Sequence, residues 1–305
     1  MRNPAPEPLR ERPIIFSDVF RSIVRGSPLV YLDAGARGGL QGTWAEIDDD
    51  RLRVVAFEPD PDGARGLRGR PNFDVIEVAL WSSPGTVDIN LAEIPATSSV
   101  YPPNWRLLER FLPQHSEPRR TVKVASIPCD TIDASLKQIG RCADFIKLDT
   151  QGSEFEILSG AEEALATSVF GVVAESWTIE VHKGQRTTGE ILSFMHQRGF
   201  ALFDMSVGAA WHRRGAGKLK HLNKRQIVGL DLLFFREPAL APGHFASPAA
   251  AAKAAAIAEM YGFPDLSLEI IDLSRPDGAE EISSMQAMRR LIVEGVHADA
   301  ASLHY

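Results

Sequence analysis

Cysteine is scarce: Cys129 and Cys142 are the only two in 305 residues, and their spacing matches neither a CxxC pair nor a zinc ribbon. A disulfide scaffold and a redox motif are thereby excluded, and both residues read as small buried hydrophobes in a reducing compartment. The eight histidines contain no H-E-x-x-H and no close metal spacing, so no required metal is predicted. No apolar run approaches the roughly 18 residues of a membrane span. The amino terminus, MRNPAPEPLRERP, has proline and charge where a signal peptide has an apolar stretch. The reading is a cytoplasmic protein without a membrane partner. Basic side chains are outnumbered 33 to 40, leaving a net charge of -7. The broad basic face needed to coat nucleic acid is missing, so no nucleic-acid partner is expected.

What is present is an ordinary globular composition, 44% hydrophobic, with glycines, prolines and helix caps at regular intervals. Short apolar runs alternate with amphipathic segments. LVYLDAG (29–35), RVVAFE (53–58), FDVIEVA (73–79), DFIKLD (144–149), VFGVVAESW (169–177), FALFDM (200–205) and the run 227–235 read as strands, with an alternating strand at 86–91. Capping boxes are predicted at Thr43/Glu46, Ser153/Glu156 and Thr187/Glu190, and Asp60 with Pro61 opens another helix. The helix from Ser153 carries the stripe Ile157, Leu158, Ala161 and Leu165. Strands alternating with helices imply a doubly wound, mostly parallel sheet with helices on both faces. Residues 1–28 read as an N-terminal extension, 29–237 as the main domain and 238–305 as a C-terminal helical extension. The Ala-rich stretch 248–260 is predicted helical and is read as part of a capping appendage. The proline-bearing segment 92–120 reads as a mobile cover with a short helix near 105–111.

Gly35, Gly38, Gly39 and Gly42 follow a strand that ends near Asp33, as in a nucleotide-binding turn. The dinucleotide fingerprint G-x-G-x-x-G fails because Arg37 takes the middle position, which disfavours a nicotinamide oxidoreductase. Glu58 lies 23 residues after Gly35, near the offset of about 20 at which a carboxylate meets ribose hydroxyls. A carboxylate at Asp33 repels phosphates and suits an ammonium group, as in S-adenosylmethionine.

YLDAGARGG, AFEPDP, VALWSSPGTVDI, ATSSV, IPCDTID and, above all, DFIKLDTQGSEFEILSGA together resemble an FkbM-type methyltransferase in order and spacing over about 29–235. Arg37 stands where that family usually has Asn, and Gln151 where it usually has Glu. The resemblance implies a class I methyltransferase (Rossmann-like) fold with a seven-stranded sheet. It further implies S-adenosyl-L-methionine as donor and a hydroxyl of a small molecule or saccharide as acceptor. It places the methionine part on Asp33, Gly35, Ala36, Arg37 and Gly38, the ribose on Glu58, the adenine near Ala79 and Leu80, and Asp149 beside the methyl group.

Glu175, Glu180, His182 and Lys183 fall at or after the end of the fifth main strand, where ligands bind in open α/β sheets. Surface pairing accounts for Glu180 and Lys183; His182 reads equally as a paired side chain or as a base. Because carboxylates are ordinarily weak bases, the catalytic reading gives proton removal to His182, with Asp149 and Glu175 positioning the hydroxyl. The basic run His212, Arg213, Arg214, Lys218, Lys220, His221, Lys224 and Arg225 reads as a solvated loop, with an anion clamp as its alternative. The competing function is a catalytically inactive S-adenosylmethionine-binding or scaffolding protein, motivated by Arg37 and Gln151.

Overall fold

The structure is a computed structural model that describes residues 13–215, 221–222 and 224–302, with side chains described through 295. Lys218 and Lys220 of the basic run, and the first 12 residues of the N-terminal extension, lie outside the described residues. Ten strands form two sheets: β1 (Leu29–Ala34), β2 (Leu52–Phe57), β3 (Phe73–Ile76), β4 (Ala79–Leu80), β5 (Gly85–Ala92), β6 (Thr121–Asp130), β7 (Phe145–Leu148), β8 (Gly171–Trp177), β9 (Phe200–Trp211) and β10 (Gln226–Arg236). The larger, seven-stranded sheet runs β3-β2-β1-β7-β8-β10-β9, and only β10 opposes its neighbours. The smaller sheet is β4-β6-β5.

Every residue of β1 and β8 is buried, as expected for central strands covered on both faces, and this is why their sequences read as apolar runs broken only near their carboxyl ends, by Asp33, Glu175 and Ser176. Alternation sorts their side chains. Val30, Leu32, Ala34, Ile146, Leu148, Val172 and Ala174 face a layer built from Leu136, Ile157, Leu158, Leu165 and Met195 of the crossover helices. Tyr31, Val54, Ala56, Phe145, Val173 and Phe235 face the other way.

That second face departs from the expected pattern. Thr43 and Glu46 do not open an α-helix: Gly42–Glu46 is a 3-10 turn whose N-cap, Gln41, makes no side-chain cap bond. After β2 comes only Pro61–Arg65, capped as predicted by Asp60. Neither piece is long enough to cover the sheet. The chain termini do so instead: Ile14, Ile15 and Phe20 join the helix Pro248–Met260 in the core cluster of that face. Ten consecutive residues of this helix, Ala251 to Met260, are buried, and the alanines let it lie close to the strands. Packing therefore runs continuously from the N-terminal turn through the sheet to the C-terminal helices. Lys253 Nζ sits 3.1 Å from Asp144 Oδ2, which also accepts the Val30 amide, and Glu259 accepts the Ile14 amide at 2.6 Å.

The helix Pro248–Met260 is capped by Ser247, whose hydroxyl accepts the Ala250 amide. Ser247→Ala is expected to destabilise the whole protein by about 0.5 to 2 kcal/mol in urea unfolding, with a single transition. A separate early transition would show that the C-terminal helices fold as their own unit.

Other boundaries shift for local reasons. FDVIEVA divides between β3 and β4, which lie in different sheets. The helix from Ser153 is two helices, Glu154–Ser159 and Glu162–Thr167, broken at Gly160, where a Cβ would come within 2.5 Å of the Trp81 carbonyl oxygen. The Ser153 hydroxyl donates to Thr150 Oγ1, so the Ser153/Glu156 box is not formed. The Thr187/Glu190 box is present in both halves. Cys129 is buried but Cys142 is exposed. Among the described residues no helix is long and apolar enough to cross a membrane.

Candidate active site

The parallel strands deliver their carboxyl ends to one edge, and β10 runs back so that its first half lies at that edge: Asp231 pairs with Glu175, and Gln226 with Trp211. Five acidic residues gather there from five segments: Asp33 of β1, Glu58 just after β2, Asp149 just after β7, Glu175 of β8 and Asp231 of β10. Among the described residues no group of three or more His, Cys, Asp or Glu has metal-holding geometry.

Asp33 and Lys147 are neighbours in register on β1 and β7, and Lys147 Nζ lies 3.0 Å from Asp33 Oδ1. Burial raises the Asp33 carboxyl against the pull of Lys147. Burial alone would lower the Lys147 ammonium, but Asp33 and Asp149 more than offset this and leave its pKa raised. The expectation that Asp33 awaits an external ammonium is thus modified: an internal cation already bonds one of its oxygens.

Positive backbone angles occur at Gly35, Gly38, Gly39 and Gly42 (φ +82°, +102°, +76° and +55°). The Gly35 and Ala36 amides turn back to the Phe57 carbonyl, tying the loop to the end of β2. Arg37 reaches forward to Asp60 at 3.0 Å. Glu58 is buried, and its Oε1 accepts the Asp60 amide at 2.9 Å. Burial raises the Glu58 carboxyl, while that amide and Arg37 pull it down. Gly63 leaves it room, since a Cβ there would stand 2.8 Å from the Glu58 Cδ. Ala79 and Leu80 are buried in β4, next to Cys129 and Asp130 of β6.

The segment after β7 explains the motif DTQGSE. Glu154, wholly buried, accepts bonds from the amides of Thr150 and Gly152 and from the Thr150 hydroxyl, and so clamps the turn shut. Burial lifts its carboxyl to about 7. Gln151 is held in a left-handed conformation (φ 58°), and its Nε2 donates to Glu175 Oε2 at 2.8 Å and, at 3.4 Å, to Asp149 Oδ1. Gln151, one of the two departures from the family pattern, is therefore the link between two of the predicted catalytic carboxylates. Burial pushes the Glu175 carboxyl well above the usual range, and Asp149, Glu154 and Asp231 push it further, against the opposing charge of Arg119. Burial, with Asp149, lifts Asp231 to about 6.

His182 is 1% exposed. Its amide and its Nδ1 both meet Gln185 Oε1, at 2.8 and 3.0 Å. Because the same oxygen accepts the backbone amide, Nδ1 must carry the proton and Nε2 is left as an acceptor. Nε2 is buried and has no partner among the described residues. Burial, reinforced by Arg119, lowers the imidazole to about 4. Glu180 accepts the Gly184 amide, and Lys183 is exposed.

The segment 92–120, expected to be a mobile cover, is folded against the loop after β8 and the end of β9. It comprises the turn Pro95–Thr97, the helices Trp105–Leu108 and Pro113–Ser116 and the turn Glu117–Arg119, and β6 begins directly after it. Bridges at Pro103/His182 and Phe111/Arg213 fasten it over the edge. Leu108 and Phe111 pack with Trp177, Val181, Trp211 and Val228 in a third core cluster, so this cover is seated by apolar contacts of its own. From beneath it Arg119 enters the site, a residue that no local motif marked. Arg213 of the basic run stacks on Phe111 at 4.5 Å.

A seven-stranded sheet of this order, with a glycine-rich first turn and an acidic second strand end, is the class I methyltransferase fold. The chain belongs to the FkbM methyltransferase family: the model of the methyltransferase FkbM domain matches residues 33–202. A search of curated protein sequences finds no significant match. Among solved structures, it is similar to methyltransferase FkbM from Methylobacillus flagellatus KT (15% identity, 73% of this chain and 48% of that one, TM-score 0.35). It is also similar to magnesium protoporphyrin IX methyltransferase from Synechocystis PCC 6803 with bound SAM (12%, 73% and 78%, TM-score 0.34). A third is precorrin-6y C5,15-methyltransferase from Geobacter metallireducens GS-15 (11%, 72% and 86%, TM-score 0.32). The chain thus spans about half the length of the first of these. It is a methyltransferase by family, and S-adenosylmethionine is the expected cofactor.

Proposed function

We propose that this protein methylates a hydroxyl group of a small molecule or saccharide. The observation that carries the reading is the pairing of Glu175, a buried carboxyl with raised proton affinity, with Asp149 through Gln151 at the carboxyl edge of the sheet. A hydroxyl must lose its proton as it is methylated, and a base is most effective when its pKa approaches the working pH. A buried carboxylate meets that need better than an imidazole lowered to about 4. The base assignment accordingly passes from His182 to Glu175, and His182 Nε2 becomes a hydrogen-bond acceptor that orients the substrate. Asp149 positions the hydroxyl opposite the methyl group.

The acidic edge and the open glycine turn fit a cationic nucleoside. We assign the methionine part to Asp33, Gly35, Ala36, Arg37 and Gly38, the ribose to Glu58 and the adenine to Ala79 and Leu80. When bound, the cofactor supplies a methyl group on a cationic sulfur. The protein's own work is to align the acceptor, exclude water under the 92–120 cover and take up the proton. Arg37 pairs with Asp60, and Gln151 with Asp149 and Glu175, so both departures are part of the proposed site.

Incubation with methyl-labelled cofactor and panels of hydroxylated, amine and carbon acceptors tests the reading. Label in a methyl ether is expected. Label on nitrogen or carbon overturns it, and cofactor binding without S-adenosylhomocysteine formation from any acceptor returns the scaffold. Glu58→Ala is expected to weaken S-adenosylhomocysteine binding by about 1.5 to 3 kcal/mol in calorimetry, through loss of charge-assisted hydrogen bonds. Unchanged affinity removes the ribose assignment.

A further inference from the structure

Three arginines of this chain show how its guanidinium groups meet carboxylates. Arg51 sends Nε to Asp49 Oδ1 at 2.9 Å and Nη2 to Oδ2 at 2.5 Å. Arg53 makes the same fork on Asp74, and Arg198 on Glu162. In each case the parallel N–H groups on the Nε/Nη2 edge grip both oxygens of one carboxylate.

Arg119 holds the same edge out unmet. It is 3% exposed, and its Nε and Nη2 are both buried without a partner among the described residues, while Nη1 donates to the His115 carbonyl at 2.9 Å. Its Cζ lies against a pair of touching indoles, 5.2 Å from the Trp177 ring centroid and 4.7 Å from that of Trp211. Aromatic faces hold the cation but offer its in-plane N–H groups no acceptor. Glu175 acts on Arg119 through space, yet the two form no ion pair among the described residues. Leaving two charged donors unmet in a buried site is costly, and such a cost is tolerated where a ligand supplies the missing oxygens. His182 stands edge-on to the same Trp177 ring, 6.4 Å away, and its Nε2 asks for a donor.

We propose that Arg119 recognises the acceptor, and that the acceptor carries a carboxylate close to the hydroxyl that is methylated, as in a hydroxy acid or a uronic acid. The Arg119 fork takes the carboxylate, the His182 Nε2 receives a hydroxyl hydrogen bond, and Glu175 faces the reacting hydroxyl. A carboxylate fits better than a phosphate dianion, because Glu175 already has the acidic Asp149, Glu154 and Asp231 as neighbours and one guanidinium balances only a monoanion. The proposal rests on the O-methyltransferase reading and narrows its substrate class.

The test uses the full chain saturated with S-adenosylhomocysteine and labelled with 15N-arginine. Sodium propionate, propionamide and inorganic phosphate are titrated in turn, and the Arg119 Nε–H signal is identified by its loss in Arg119→Lys. A saturable shift with propionate alone is expected, and calorimetric propionate binding is expected to be lost in Arg119→Met, whose fold is checked by thermal unfolding. Equal shifts with propionamide, or a shift with phosphate and none with propionate, overturn the proposal. Paired acceptors then separate it from the reading beneath it. Glucuronate is expected to be methylated and glucose not, with the KM for the acid raised about 30-fold or more in Arg119→Met. Equal methylation of glucose overturns the carboxylate inference and leaves O-methylation standing. Propionate binding together with label on a nitrogen acceptor does the reverse.

Discussion

Glu175→Gln is expected to lower kcat by about 10²- to 10⁴-fold with the hydroxylated acceptor, at saturating cofactor, and to leave cofactor affinity within about twofold. The substitution preserves size and can keep the contact with Gln151 Nε2, because the new amide oxygen accepts as the carboxylate Oε2 does. What it removes is the ability to receive a proton. The wild-type rate should also rise with pH through a range above that of an ordinary carboxylate, since burial and the charges of Asp149, Glu154 and Asp231 hold the Glu175 proton on. Only the deprotonated form accepts the hydroxyl proton, so activity is absent below the raised pKa and is gained as pH passes through it. In Glu175→Gln that limb should vanish. His182→Ala should cost only about tenfold, the worth of one hydrogen bond in the transition state. A fall of 10²-fold or more in His182→Ala, with Glu175→Gln within threefold of wild type, would restore the base to His182.

The two candidates differ in what a sequence can disclose. His182 and Glu175 were both visible as residues at a strand end, and the class of chemistry each residue type supports was visible too. Their proton affinities were not, because these depend on burial beneath a segment 60 or so residues earlier in the chain and on Arg119, which that segment carries. Arg119 itself had no signal, since nothing in its local sequence distinguishes it from the exposed Arg120 beside it. Central strands were legible because burial on both faces writes an apolar run. Strand β6 was not, since Val122 and Val124 are exposed and its alternation carries no burial pattern. The helix Pro248–Met260 was readable as a helix from its alanines. Its place against the sheet was not, because that follows from the shortness of the pieces after β1 and β2. The turn at Gln151 was likewise hidden: its function is fixed by contacts with Glu175 and Asp149 that only the fold creates.

Gly35→Ala is expected to be the most damaging single-methyl change in the protein, while Gly38→Ala, three residues on, should be mild. Both glycines have positive φ, +82° and +102°, so both substitutions incur the backbone cost of a left-handed or related conformation, about 1 to 3 kcal/mol. They differ in the space around them. A Cβ on Gly38 meets nothing within 4 Å. On Gly35 it collides with the backbone carbonyl of Asp149, far inside van der Waals contact. That carbonyl cannot yield easily: the Asp149 amide is bonded to the Ala34 carbonyl, and the turn that follows is clamped by Glu154. Relief requires β1 and β7 to separate at the edge where the site is built, adding about 1 to 3 kcal/mol of overpacking. The expected loss for Gly35→Ala is thus about 2 to 6 kcal/mol in urea unfolding, a large part of a typical folding free energy of about 5 to 15 kcal/mol. S-adenosylhomocysteine binding should fall with it, because Asp149 and the glycine turn move apart together. Gly38→Ala should stay within about 1 to 3 kcal/mol and keep the sheet edge intact. Equal losses in the two variants would mean that backbone strain alone governs the turn and that the Gly35–Asp149 contact does not hold the site together.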